Sequence, residues 1–258
     1  MARVICVANQ KGGVGKTTTS INLAASLAVL EYKTLLIDCD PQGNSTSGLG
    51  YDEALGNGTL YSVFYKPDHD SVTSAITAIK PPFLNILPAD INLVAVEVEL
   101  VNEIARERYL KDLISHIDKD YDFIILDCPP SLGLLTLNAL CAAHELLIPL
   151  QCEFFALEGI AKLMDTYAKV KAKLNPDLNI IGILLTMYDV RNRLSKDVRN
   201  EIERVLPRYL LKTYIPRNVR LSEAPSHGKS IIHYDIKSKG ALAYLSLAQE
   251  LITRKALP

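Results

Sequence analysis

The chain has 258 residues, 48% of them hydrophobic, and its 28 Lys and Arg nearly balance 29 Asp and Glu, so it can bury one large core and is neither acidic nor basic overall. No run of about eighteen apolar residues occurs, no signal-peptide pattern opens the chain, and Cys6, Cys39, Cys128, Cys141 and Cys152 form no CxxC pair or Cys/His cluster. Membrane-spanning and zinc-ligating classes are not indicated, an iron–sulfur carrier would have only Cys128 in a suggestive place against its reading as a buried thiol, and a single cytoplasmic α/β domain over residues 1–258, with reduced and mostly buried thiols, is expected.

Short runs rich in Val, Ile and Leu recur at residues 4–8, 34–37, 84–87, 123–126, 146–150 and 180–185. They lack polar alternation, as strands covered on both faces do in a parallel sheet. Helical stretches lie between them. Residues 18–30 place Ile21, Ala24, Ala25, Ala28 and Val29 on one side, and residues 157–174 form another such stretch. Strand then helix, repeated, predicts a doubly wound, mainly parallel α/β sheet with helices on both faces. Ligands of such sheets sit beyond the carboxyl ends of the strands.

The first strand runs into Asn9-Gln10-Lys11-Gly12-Gly13-Val14-Gly15-Lys16-Thr17-Thr18, a glycine loop that opens a helix. Glycines let successive backbone N–H groups converge on an anion, and the helix N-terminus adds its partial positive charge. Gly12, Gly13, Val14, Gly15, Lys16, Thr17 and Thr18 are therefore the expected nucleotide contacts. Lys16 is placed to reach the β and γ phosphates and Thr17 to hold Mg²⁺ through its hydroxyl. Gln10 stands where the ordinary motif has glycine, and Lys11 adds a second lysine to the loop.

The next strand ends in Asp38-Cys39-Asp40-Pro41-Gln42-Gly43-Asn44. Residues two apart on an extended chain point the same way, so Asp38 and Asp40 present two carboxylates at the ligand edge, unless one of them serves as a turn or cap aspartate. Asp127 closes the run at 123–126 and leads into Cys128-Pro129-Pro130-Ser131. An apolar strand ending in Asp beside Mg²⁺ orients the metal or its waters.

Strand 180–185 ends in Thr186-Met187-Tyr188-Asp189. A guanine-specific site would carry lysine where Met187 stands, so ATP is the expected nucleotide. The charge is also unevenly divided. Residues 186–258 carry 14 Lys and Arg against 7 Asp and Glu, a net of +7, whereas residues 1–185 carry 14 against 22, a net of −8. A basic quarter of this kind is either a solvated face or a polyanion-binding surface.

The string KGGVGKTT resembles the deviant Walker A motif of the ParA/MinD branch of P-loop ATPases, and DCDPQGN and DCPPSLG resemble its two switch segments. Ile215-Pro216-Arg217-Asn218-Val219-Arg220-Leu221-Ser222-Glu223-Ala224-Pro225-Ser226-His227-Gly228-Lys229 is similar to the corresponding string of chromosomal ParA/Soj proteins, and the resemblance runs from Val4 to Leu251. It implies a slow Mg-dependent ATPase that forms a homodimer on ATP. In that family Lys11 reaches across the dimer to the partner's nucleotide, Asp40 positions the attacking water, and Asp38 joins Thr17 and Asp127 in supporting the metal. Pro216 and Asn218, with Met187, would lie against the adenine. Arg191 and Arg220 would contact double-stranded DNA without sequence preference, and Arg193, Lys196, Arg199 and Lys229 would widen that patch.

The resemblance also implies a ParB-type partner that stimulates hydrolysis, and a cytoplasmic, nucleoid-associated location. Glu97, Glu99, Glu103 and Glu107 either receive such a partner or form a solvated helix face. Members that cycle on membranes in the MinD manner need a C-terminal amphipathic helix with bulky apolar residues. The tail from Gln249 to Pro258 is short for that and lacks aromatic residues, so a membrane partner is not expected. With three residues before the first strand, the chain matches the short chromosomal type, although relatives of this size also position other cargo.

Overall fold

The computed structural model describes residues 1–51, 58–153 and 156–254. Its strands are β1 (Arg3–Val7), β2 (Thr34–Asp38), β3 (Thr77–Ile79), β4 (Leu84–Leu87), β5 (Phe123–Asp127), β6 (Glu145–Gln151), β7 (Asn179–Tyr188) and β8 (Leu210–Pro216). The helices are α1 (Lys16–Val29), α2 (Asn44–Gly48), α3 (Leu60–Val63), α4 (His69–Ala75), α5 (Ala95–Glu99), α6 (Tyr109–Ser115), α7 (Leu134–Ala142), α8 (Ala156–Lys173), α9 (Arg193–Val205), α10 (Val219–Glu223), α11 (Ile231–Tyr234) and α12 (Lys239–Thr253). Residues 52–57 and 154–155, and residues 255–258 of the tail, lie outside the described residues.

The strands form one sheet in the order β3-β4-β2-β5-β1-β6-β7-β8, parallel throughout except for the β3–β4 pair. Alternate residues of the central strands enter two separate cores. Val4, Cys6, Leu35, Ile37, Ile124 and Leu126 face one core with Leu113 of α6, Ala139 of α7, Leu163 of α8 and Ile202 of α9. Ile5, Val7, Leu36 and Ile125 face the other with Leu23 and Leu27 of α1 and Tyr244 and Leu247 of α12. This is the doubly wound arrangement expected from the sequence.

Two strands are additional to the six expected. β3 has three residues and no buried one, and β8 reads Leu-Leu-Lys-Thr-Tyr-Ile-Pro, an edge strand of which only Leu211 and Ile215 are buried. Neither has the apolar run that marks a central strand. β6 begins earlier than expected, at Glu145, because Arg3 holds that carboxylate by two hydrogen bonds of 2.7 and 2.9 Å. The five cysteines are buried and free, as expected. No helix among the described residues is long and apolar enough to cross a membrane.

Candidate functional site

The glycine loop connects β1 to α1 at the carboxyl edge of the sheet. Gly13 and Gly15 have φ of 75° and 88°, a left-handed conformation that disfavours any side chain, although a Cβ at Gly13 would meet nothing within 4 Å. Glycine is required there by backbone conformation, not by crowding. Gly15 caps α1 without a side-chain hydrogen bond, which leaves the first N–H groups of the helix available to an anion.

Distant contacts hold the loop in place. Thr186, at the end of β7, donates its hydroxyl to Val14 O at 2.7 Å. Asn9 Nδ2 donates to Pro149 O at 2.7 Å, and its Oδ1 accepts from Lys11 N at 3.0 Å. Lys16 is buried, and its Nζ donates to Lys11 O at 3.2 Å. Burial pulls its ammonium below the usual lysine range, opposed by the charge of Asp127. Among the described residues Lys16 forms no ion pair. A buried ammonium that forms no ion pair, at the start of a helix opened by a glycine loop, suits a polyphosphate.

Above the loop opens a cleft of about 550 Å³. Gly12, Gly13, Gly15, Lys16, Thr17 and Thr18 form one wall, and Met187, Pro216, Arg217 and Asn218 form the opposite one. Val14 is buried below, with its carbonyl engaged by Thr186. The ends of β7 and β8 thus bring residues about 200 positions away to line one cleft with the glycine loop. Met187 has φ of 49°, unusual for a residue with a side chain. Asn218 caps α10, its Oδ1 accepting from Arg220 N at 2.9 Å.

Asp38 and Asp127 are direct neighbours in the β2–β5 register, both fully buried beneath the cleft. Asp38 Oδ2 accepts from Thr46 N at 2.9 Å and Thr46 Oγ1 at 2.7 Å, and Oδ1 accepts from Asp40 N at 3.1 Å. Asp127 accepts from Ser20 Oγ at 2.9 Å and Ser45 Oγ at 2.7 Å. Burial, then the charge of Asp127, pushes Asp38 up to about 7. Burial pushes Asp127 up to about 6 against hydrogen bonds from Ser45, Ser20 and Thr17. Asp40 is buried but lines the cleft, accepting from Gln42 N at 3.0 Å.

Thr17, Asp38 and Asp127 therefore form one oxygen-rich group at the start of α1 and the ends of β2 and β5. Desolvated carboxylates on hard oxygen chemistry fit Mg²⁺. Among the described residues no cluster of three or more His, Cys, Asp or Glu could hold a metal by itself. Magnesium has no need of one, since it usually keeps waters and takes phosphate oxygens as further ligands.

Lys11 stands apart from this group. It does not line the cleft, and its Nζ is paired with Glu153 of the same chain. Arg191 and Arg220 are exposed and lie outside the nucleotide cleft. Arg191 meets Asp189 through two contacts of 3.1 Å, and Arg220 meets Glu223 at 2.8 Å and Asp235 at 3.7 Å. Arg193 is also paired, with Asp197 at 3.8 Å, whereas Lys196, Arg199 and Lys229 form no ion pair among the described residues.

Ser20, Ser45, Thr46, Thr186 and Glu153 are site residues that sequence reasoning did not single out. Ser20 has a usable signal, since it lies one helical turn after Lys16 and so shares its face. The others carry none, because hydroxyl residues are common in loops and their partners are remote in sequence.

A family model described as an AAA domain matches residues 2–180. A chromosome partitioning protein ParA from Myxococcus xanthus is 51% identical over 254 residues, spanning 98% of this chain and 89% of the relative. A sporulation initiation inhibitor protein Soj from Bacillus subtilis is 50% identical over 251 residues, spanning 97% and 98%. Among solved structures, one from Mycobacterium smegmatis described as cobyrinic acid a,c-diamide synthase with bound ATP analog and magnesium superposes with a TM-score of 0.84 at 36% identity, covering 100% of both chains.

Proposed function

We propose an ATP-gated DNA-binding switch for this chain, which belongs to the ParA/Soj family of chromosome-partitioning ATPases. The observation that carries the reading is the buried, unpaired Lys16 under the glycine loop, facing Met187, Pro216 and Asn218 across one cleft. That wall is the place for an adenine, and the loop is the place for its phosphates.

Hydrolysis is in-line attack of water on the γ-phosphate. Asp40, which lines the cleft, orients that water. Thr17, Asp38 and Asp127 would hold Mg²⁺ directly or through its waters, and the chemistry it would supply is neutralisation of charge on the phosphates. Lys16 and the loop amides take up the rest. Among the described residues no strong acid/base pair lines the cleft, so turnover is slow and serves as a timer until a ParB-type partner stimulates it.

On ATP two chains associate, and Lys11 leaves Glu153 to reach the nucleotide of the other chain. Association places two basic C-terminal quarters side by side, with Arg191 and Arg220 contacting DNA phosphates. The switch then works in the cytoplasm on the nucleoid, partitioning a chromosome or plasmid.

The test is binding to random-sequence duplex DNA with ATP, ADP or no nucleotide, for wild type, Lys16→Ala and Arg220→Glu. Binding should need ATP and Lys16, and Arg220→Glu should abolish it. If a dimer neutralises about four to six phosphates, log K against log salt should slope near −4 to −5. A flat salt dependence, or equal binding with ADP, would overturn the reading.

A further inference from the structure

Two buried side-chain hydroxyls line the nucleotide cleft, those of Thr186 and Tyr244. Thr186 spends its proton on Val14 O. Tyr244 is placed differently. Its Oη stands 3.2 Å from Thr19 Oγ1, either oxygen being able to donate, and neither hydroxyl has another partner among the described residues. A pair of hydroxyls carries two protons, and their mutual bond uses one. One donor is therefore left over. Thr19 is fully buried and does not line the cleft, so Tyr244 is the member of the pair beside open space. Burial pushes the Tyr244 phenol up, which keeps its proton on at neutral pH.

The fold puts this hydroxyl where the two walls of the cleft meet. Thr19 lies on α1 directly after Thr18, the last residue of the phosphate wall. Tyr244 reaches it from α12, one helical turn after Gly240. A Cβ at Gly240 would stand 2.8 Å from Leu221 Cγ, so the missing side chain lets α12 close on α10. Leu221, with Ile215 and Pro225, makes this part of the lining apolar. Phosphates gain nothing from such a surface, whereas a base and its sugar bury carbon there and need a few placed polar groups. A bond that only fastened α12 to α1 would leave a buried donor idle, which costs stability.

We propose that Tyr244 donates a hydrogen bond to the nucleoside part of ATP, at an acceptor on the base or the ribose, and that Thr19 holds the phenol in place for it. This rests on the nucleotide reading of the cleft and adds to it a contact that senses the nucleoside and not the phosphates.

The experiment is calorimetric titration of the full chain with ATP, 2′-deoxy-ATP and inorganic triphosphate, each with Mg²⁺, for wild type, Tyr244→Phe and Thr19→Val. Tyr244→Phe keeps the ring in the core and removes the hydroxyl alone. It should weaken ATP by about five- to tenfold, the range of one neutral hydrogen bond, and leave inorganic triphosphate within about twofold of wild type. Retained triphosphate binding also shows that the glycine loop of the variant is formed. Thr19→Val should give a similar loss for ATP, the double variant should lose no more than either alone, and Thr19→Ser should restore the affinity. A loss that shrinks with 2′-deoxy-ATP upholds the contact and puts its acceptor on the ribose; a loss that persists upholds it and puts the acceptor on the base.

Wild-type ATP affinity in Tyr244→Phe overturns the proposal and leaves the nucleotide reading standing. Equal weakening of ATP and inorganic triphosphate also overturns it, because the hydroxyl pair would then act through α1 on the phosphate wall alone. Failure of wild type to bind ATP more tightly than inorganic triphosphate removes the nucleoside wall, and the proposal with it.

Discussion

Replacing Thr46 with valine tests whether the loop after β2 is held by the carboxylate pair. The Thr46 hydroxyl donates to Asp38 Oδ2 at 2.7 Å and accepts from Ala89 N at 3.0 Å, and its own N–H donates to the same Asp38 oxygen at 2.9 Å. The residue is buried, so water cannot replace what is lost. Valine keeps the shape but deprives Asp38 of a hydroxyl donor and leaves the Ala89 N–H unpaired. A hydrogen bond to a charged group contributes about 1.5–3 kcal/mol, and an orphaned buried donor costs about 1–3 kcal/mol. Both losses share one hydroxyl and are not independent, so the expected destabilisation is about 3 kcal/mol, or roughly 6–12 °C in melting midpoint for a chain of this size. Urea unfolding of nucleotide-free protein, followed by circular dichroism at about pH 8, reads it where Asp38 is ionised. Thr46→Ser should recover most of the loss. A valine variant within about 0.5 kcal/mol of wild type would refute the reasoning, because that is the range of an uninvolved surface change.

Three further outcomes follow from the same geometry. Thr186→Val removes the hydroxyl bond to Val14 O and should weaken ATP binding by about fivefold, the equivalent of about 1 kcal/mol; unchanged affinity in a fluorescent-nucleotide titration would show that the loop needs no such anchor. Glu153→Gln frees Lys11 from a part-exposed ion pair, so it should leave stability within about 0.5 kcal/mol but increase ATP-dependent dimer in sedimentation; unaltered association would mean that the pair does not restrain Lys11. Asp38 and Asp127 have folded values of about 7 and about 6, above the ordinary carboxylate range, so the folded state keeps protons the unfolded chain has lost. Their contribution to the stability of metal-free protein is then present below about pH 4 and lost as the pH rises through about 6 to 7. Asp38→Asn should flatten that decline, and melting curves that stay parallel to wild type would count against it.

The parts legible in the sequence are those whose constraints are local. The glycine loop is one, because left-handed φ at Gly13 and Gly15 and the helix that starts at Lys16 fall within a few residues of one another. Asp38 and Asp127 are another, since an apolar strand ending in a carboxylate is itself a pattern. Their partners are not legible. Ser45 and Asp127 are 82 positions apart, and Thr186 and Val14 are 172 apart, and nothing in a serine or threonine announces what it will meet. The opposite wall of the cleft, Met187, Pro216 and Asn218, was reachable only through resemblance, because β8 is an edge strand without an apolar run. Counting charges located the basic quarter. It could not distinguish Arg191, neutralised by Asp189, from Lys212, which is left free.

The charge balance around the cleft explains why the proposed switch would distinguish ATP from an empty site and why Lys11 is held outside it. Three carboxylates, Asp38, Asp40 and Asp127, are buried around a single buried ammonium, Lys16. A triphosphate entering alone would meet net negative charge, and repulsion in a poorly hydrated site is strong. A divalent cation held there would offset that charge and favour the ionised forms of Asp38 and Asp127 that burial opposes. Even then a triphosphate brings more negative charge than one lysine and the metal offset, and the excess lies at the γ-phosphate. A lysine held only by a part-exposed pair with Glu153 is a cation that such an excess can recruit, whereas a diphosphate leaves less to recruit it with. Under the proposed function Lys11 would thereby be sensitive to the one group that hydrolysis removes, which is the property a nucleotide timer requires.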